Sequence, residues 1–297
     1  MKGKVRLLAE YRNGNYDVEI YSDGTKIKTT EDDDFDADFP DSMDIKITDY
    51  CDMNCPMCHE KSTTNGKHAS FEHAFLNTLR KGTELAIGGG NPLTNPEFET
   101  FLRRMKKQGV ICNVTVNEKH LLDKTDYVQF LIDNKLIYGL GVSLFLFDDK
   151  TLSFAKRNSN VVFHLIIGTP QMDKIGILYN QGYKILLLGY KKFGRGKEYY
   201  SSEVDRRISE TNAKFDEITA AFKVVSFDNL ALSQLDVKNK VAKDVYEECF
   251  MGDDGESTMY VDLVEEEFAV SSTSTVRYPL KDDVVSMFAV VKKKRNF

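Results

Sequence analysis

From residue 43 onward the chain alternates short, almost wholly apolar runs with longer segments of helical period, and few folds accept that alternation. Runs such as Val161-Val162-Phe163 and Ile185-Leu186-Leu187-Leu188 carry no polar side, as expected of strands covered on both faces. The pattern predicts strands over 42–48, 84–87, 110–117, 138–145, 161–168 and 184–189. It predicts helices over 70–81 (Phe71, Phe75 and Leu79 at i, i+4, i+8), 96–108 ending near Gly109, 123–134 and 172–181. Six strands joined mostly by helical crossovers are the grammar of a parallel α/β sheet, in which functional groups gather at the C-terminal ends of the strands.

The flanks read differently. The first forty residues alternate as a β-meander, with turns at Asn13-Gly14-Asn15 and Ser22-Asp23-Gly24. The acidic stretch 31–38 follows as a solvated linker. Beyond Gly196 come a long charged helix (203–221), a strand (224–227), a short helix (229–235) and a β-like remainder that turns at 252–255. The expected organisation is therefore a meander with linker (1–41), an α/β core (42–196) and an α+β extension (197–297).

With 297 residues, 41% of them hydrophobic, the chain can bury a substantial core. A net charge of −6 leaves no broad basic excess, so no nucleic-acid partner is expected; the local run Lys292-Lys293-Lys294-Arg295 reads as a solvated tail. No apolar stretch approaches the roughly 18 residues of a membrane span, and 1–6 contain no signal-peptide core. The expectation is a cytoplasmic protein whose thiols stay reduced.

Three of the five cysteines fall within eight residues, Cys51-Asp52-Met53-Asn54-Cys55-Pro56-Met57-Cys58. In a reducing compartment such a cluster argues for metal binding over disulfides. Three thiolates on one short loop can hold three irons of a cubane, leaving the fourth iron to a non-protein ligand. A structural zinc site closes its shell with a fourth protein ligand; His59 is too close in sequence to Cys58 to do so readily, and His68 is the other choice.

Set directly after the first strand, this C-x3-C-x2-C spacing resembles the radical S-adenosylmethionine (SAM) superfamily, and the likeness spans residues 42–196. The resemblance implies a partial (β/α)6 barrel of parallel strands holding a [4Fe–4S] cluster on Cys51, Cys55 and Cys58, with SAM chelating the open iron. It further implies reductive cleavage of SAM to methionine and a 5′-deoxyadenosyl radical, with electrons from a reductant protein such as flavodoxin or ferredoxin. Gly88-Gly89-Gly90-Asn91-Pro92, thirty residues past Cys58, is similar to the family's glycine motif, whose backbone carbonyls accept the SAM amino group. Asn91 stands where the family usually has Glu. The resemblance adds Met57, Asn117, Ser143 (SAM ribose or carboxylate) and Gly168 (beside adenine) as cofactor contacts. Arg195, between Gly194 and Gly196, joins them as a residue suited to a carboxylate or phosphate.

Alternation puts Asn113, Thr115 and Asn117 on one face of their strand and Cys112 on the other, where it reads as a buried inert thiol. His164, in an apolar strand, reads as a core histidine. In the last third, Cys249-Phe250-Met251-Gly252, Tyr260-Val261-Asp262 and Ser271-Ser272 faintly resemble the cysteine-rich extensions of peptide-modifying members. The further cysteines are absent, so no auxiliary cluster is expected, and Cys249 is a candidate catalytic thiol or hydrogen-atom donor. The implied substrate is a peptide, a protein side chain or a small molecule. Two other readings stand beside this one: a zinc-binding interaction protein using the same cysteines with His59 or His68, and a radical SAM fold without activity.

Overall fold

In the structure, a computed structural model, residues 5–293 are described. Lys294 and Arg295 of the basic run lie outside the described residues. The meander is present: β1 (Leu7–Asn13), β2 (Tyr16–Tyr21) and β3 (Lys26–Thr29) form an antiparallel sheet in that order. Its first turn needs glycine. Gly14 has φ +56°, and a methyl group there would sit 1.8 Å from the Asp36 carbonyl oxygen.

All six predicted core strands form, as β4 (Ser42–Lys46), β5 (Glu84–Gly88), β6 (Ile111–Asn117), β7 (Gly139–Ser143), β8 (Val161–Ile166) and β9 (Lys184–Leu188). They pair in parallel in sequence order, and β10 (Val224–Phe227) continues the series beside β9. On the opposite side β11 (Thr258–Asp262) pairs parallel to β4, followed by antiparallel β12 (Glu267–Ala269) and β13 (Tyr278–Pro279). The product is a ten-stranded, mainly parallel sheet. Among the described residues no pairing joins β10 to β13, so the sheet is open.

The helix over 70–81 does not form; only a 3-10 turn, Ala74–Thr78, interrupts an extended strap. Phe71, Phe75 and Leu79 are buried as their spacing implied, but the carbonyls that a helix would use are taken from outside. Arg104 donates to the Phe71 carbonyl, and Gln108 donates to those of Leu76 and Leu79. The helix Phe98–Gln108 forms and ends on Gly109 at φ +78°. The segment 170–178 is a 3-10 helix, 203–221 divides at Lys214, and the helix predicted over 123–134 is preceded by a separate one, Glu118–Asp123. Helices Asp149–Arg157, Lys243–Cys249 and Val284–Val291 were not foreseen.

The two faces of the sheet differ. Met43, Ile45, Leu85, Ile87, Val114, Val116, Leu140, Val142, Phe163 and Leu165 point to one side and are buried under the crossover segments. The alternate positions, among them Asp44, Ala86, Asn113, Thr115, Asn117, Ser143 and His164, keep access to solvent. The expectation that both faces are fully covered therefore fails for this inner face. Glycines let neighbouring side chains lean across it: a methyl group at Gly139 would lie 2.7 Å from Asn113 Oδ1, and one at Gly141 2.3 Å from the His164 ring.

Candidate functional site

β4 and β5 run parallel with Lys46 opposite Gly88, so the loops that leave them emerge side by side at one end of the sheet. The first carries the three cysteines, the second the three glycines. A return segment fixes the cysteine loop: Ala69 N–H donates to the Ile47 carbonyl, Asp49 N–H to Lys67, and Cys51 N–H to Thr63, at 2.8–3.0 Å. Gly66 is obligatory in that return, because a methyl group would lie 2.1 Å from the Asp49 carbonyl. Asn54, between the first two cysteines, adopts φ +45°, a conformation that Asn tolerates better than most residues.

The glycine loop lies directly on this frame. Gly90 N–H donates to the Thr48 carbonyl at 2.7 Å, and Asn91 N–H to that of Tyr50 at 2.6 Å. Methyl groups at Gly89 and Gly90 would sit 2.4 Å and 2.1 Å from those two oxygens. Gly88 is different, for its α-carbon faces open space. The side chain of Asn91 turns away from that opening: it is buried, and its Oδ1 accepts the Leu93 N–H to start a 3-10 turn.

Cys51, Cys55 and Cys58 are free thiols, each partly exposed. Burial raises the Cys51 and Cys55 thiols above the ordinary range; the neighbouring cysteines add to the shift, and Arg195 opposes it. Charge on one of these cysteines disfavours charge on the others, which binding to a metal cluster relieves. His59 and His68 are already engaged, His59 Nε2 with Glu60 at 3.1 Å and His68 Nδ1 with the Thr48 hydroxyl at 2.8 Å. The donor set thus fits a group that takes three thiolates and leaves one coordination position free. Beside it, Asp52 bonds His120 Nε2 at 2.6 Å, and Cys51, Asp52 and His120 offer ligand atoms within 4.8 Å of one another.

The remaining predicted residues are distributed as follows. Met57 is partly exposed on the cysteine loop. Asn117 and Ser143 face each other across β6 and β7, and the Asn117 Oδ1 caps the following helix by accepting the Lys119 N–H. Gly168 has φ +81° and adjoins Val204 and Ile208 of helix Ser202–Ala213, where a side chain would collide. Arg195 donates to the carbonyls of Cys55 and Ser62. Cys249 is exposed at the end of helix Lys243–Cys249; among the described residues no hydrogen bond or ion pair joins it to the cysteine loop. Cys112 is buried, as read from the alternation. His164 is partly exposed on the inner face, and burial depresses its imidazole to about 4, so it is neutral at pH 7.

A charged network on the inner face escaped the sequence reading. Lys46 bridges Asp49 at 2.6 Å, Asp262 at 2.8 Å and Glu60 at 3.4 Å. It thereby ties β4, the cysteine loop and β11 together. Lys191 reaches His59 Nε2 at 3.5 Å and the Ser272 hydroxyl at 2.9 Å. Asp44, two residues before Lys46, is open to the water of this concavity yet enclosed by surrounding protein, and burial pushes its carboxyl up to about 6. Charged residues at alternate positions of a central strand were the available signal.

A mainly parallel α/β sheet with a three-cysteine loop and a glycine turn at one end defines the class of this molecule. Solved structures similar to it include those of SuiB from Streptococcus suis. With SuiB bound to the precursor peptide SuiA the likeness has a TM-score of 0.59 at 15% identity, covering 85% of this chain and 65% of that one. With SuiB bound to S-adenosylmethionine the values are 0.56, 15%, 82% and 64%. The chain thus spans about two thirds of the length of SuiB, and at this identity the likeness establishes the fold. No protein-family model and no curated protein sequence matches the chain. Among the described residues no helix is long and apolar enough to cross a membrane.

Proposed function

We propose that the chain is a radical SAM enzyme that acts on a peptide, with a [4Fe–4S] cluster on Cys51, Cys55 and Cys58. The observation that carries this reading is three free, partly exposed thiols on one loop, with His59 and His68 both engaged by other side chains, beside the open space at Gly88. When bound, the cluster and SAM would supply one-electron radical chemistry for hydrogen-atom abstraction from the substrate.

The protein's own part is orientation and exclusion of side reactions. In this proposal the backbone of Gly88, Gly89, Gly90 and Asn91 receives the SAM amino group. The Asn91 carboxamide is committed to its turn, which is why a main-chain contact is assigned there and no side-chain one. Met57, Asn117, Ser143 and Gly168 line the rest of the cofactor site, and 42–196 is the catalytic core, curved as a partial barrel. The inner face with Asp44 and His164 receives the substrate, and Cys249 in the extension is a candidate hydrogen-atom donor. A flavodoxin- or ferredoxin-like protein delivers the electron.

The likeness to a protein solved with SAM and with a precursor peptide supports both the cofactor and a peptide substrate. The engagement of His59 with Glu60 and of His68 with Thr48 weighs against a zinc site completed by either ring. Anaerobic reconstitution with iron and sulfide, followed by dithionite and SAM, tests the proposal. About four irons per chain and release of 5′-deoxyadenosine, read by mass spectrometry, are expected. Tightly bound zinc with no SAM cleavage would instead point to a binding module.

A further inference from the structure

The turn after β9, Lys191-Lys192-Phe193-Gly194-Arg195-Gly196, lies against the cysteine loop. The Arg195 N–H donates to the Cys58 carbonyl at 3.0 Å. Its guanidinium donates through Nε to the Cys55 carbonyl at 3.0 Å, and through both terminal nitrogens to the Ser62 carbonyl at 3.1 Å. The flanking glycines are what permit this approach. Gly194 has φ +57°, and a methyl group there would lie 2.1 Å from the His59 carbonyl oxygen. One at Gly196 would lie 2.3 Å from the Lys191 carbonyl oxygen and 3.2 Å from that of Met57.

Behind the turn, the buried Tyr190 donates its hydroxyl to the Gly196 carbonyl at 2.7 Å, and its backbone exchanges hydrogen bonds with the Gln234 side chain. The turn is therefore braced from the sheet side. The guanidinium hydrogen bonds of Arg195 go to backbone carbonyls, and among the described residues no carboxylate forms an ion pair with it. A guanidinium without a carboxylate partner among the described residues thus lies against the loop that carries three thiols.

We infer that Arg195 is a positioning residue for the cysteine loop, clamping it through the Cys55 and Ser62 carbonyls and supplying a fixed positive charge beside the cluster. The inference rests on the radical SAM reading above and deepens it. A planar fork can bridge two carbonyls at fixed geometry, which an ammonium cannot. Partners that orient the ligands of a metal govern its retention, and net charge near an iron–sulfur cluster governs its potential. A nearby cation favours the more negative, reduced cluster. Removing it lowers the reduction potential.

The test compares the parent with Arg195→Gln and Arg195→Lys after reconstitution. Iron release to a chelator is timed, and the cluster potential is titrated by electron paramagnetic resonance. Arg195→Gln is expected to release iron about tenfold faster or more and to shift the potential to more negative values. Arg195→Lys keeps the charge without the fork, so it should release iron faster while holding a near-parental potential. A role confined to folding would not separate those two readouts. Circular dichroism of the metal-free variants checks the fold, and if the Gln variant does not fold, parental iron release from the Lys variant overturns the inference. Parental release and potential in Arg195→Gln also overturn it, leaving the radical SAM reading intact. A parent that takes up no four-iron cluster removes both.

Discussion

Cys51, Cys55 and Cys58 are chemically alike, and Cys112 is the contrast that makes them informative. Cys112 is 1% exposed on the packed face of β6, and burial drives its thiol far from ionisation, whereas the loop cysteines are partly exposed and feel one another's charge and that of Arg195. Replacing any one of the three by Ala should abolish both the visible chromophore of the reconstituted protein and 5′-deoxyadenosine formation. Cys112→Ala should retain both, with only the modest stability loss of a small cavity. Visible absorption spectra of the four variants decide the matter: a colourless Cys112→Ala or a brown Cys55→Ala would disprove the ligand assignment. At this scale the sequence was most legible where neighbours in space are neighbours in the chain. The cysteine loop and the triple glycine are such cases. The Lys46–Asp262 pair is not, since 216 residues separate its members, and periodicity carries no information across that interval.

Elements were legible to the degree that local signals decided them. The helix Phe98–Gln108 has an apolar stripe and a terminal glycine, and it forms as read. The 70–81 segment has the stripe, but side chains from that same helix satisfy its carbonyls from outside, so tertiary bonds override local period. Val284–Val291 errs the other way: its β-branched run suggests a strand, yet Asp283 caps it as a helix by accepting the Ser286 N–H. Asp148 caps Asp149–Arg157 in the same manner. The loop preceding that helix depends on one residue. The fully buried Glu118 carboxylate accepts the N–H groups of Phe145, Leu146, Phe147 and Asp148 at 2.5–3.1 Å, and holds Phe147 at φ +63°. An amide offers one oxygen and turns donors toward donors. Glu118→Gln should therefore cost about 2–3 kcal/mol, in the range of charge-assisted hydrogen bonds, and free these four amides to exchange. Unchanged protection of residues 145–148 in hydrogen exchange would refute this account of the loop.

At the end of the molecule opposite the cysteines, a buried carboxylate joins the meander to the large sheet. Asp41, immediately before β4, accepts hydrogen bonds from Tyr16 at 2.6 Å, Asn13 at 2.7 Å and Tyr11 at 3.1 Å, and pairs with Lys28 at 2.7 Å. All four partners belong to the meander, so Asp41 is the pin between it and the large sheet. Burial alone would raise this carboxyl; Lys28 and the hydrogen bonds outweigh burial and hold it below the ordinary carboxylate range. A carboxyl depressed in the folded state contributes stability that is fully present above its unfolded pKa, about 3.9, and lost as pH falls through the folded value. The meander should accordingly loosen in acid and stay fixed at neutral pH. Asp41→Asn removes the charge and leaves Lys28, its side chain 8% exposed, without a counter-ion. The expected cost at pH 7 is about 3–5 kcal/mol, the range for breaking a buried pair, with a flatter dependence of stability on pH below about pH 4. Urea unfolding at pH 7 and pH 3.5, with limited proteolysis of the meander, measures both quantities. If Asp41→Asn matched the parent in midpoint and in pH slope, the meander would have to be held by its apolar face, by Tyr16, Val18 and Ile20, and by its other polar ties such as Lys26–Glu84 and Lys28–Ser257, and the Asp41 pin would be incidental to the architecture.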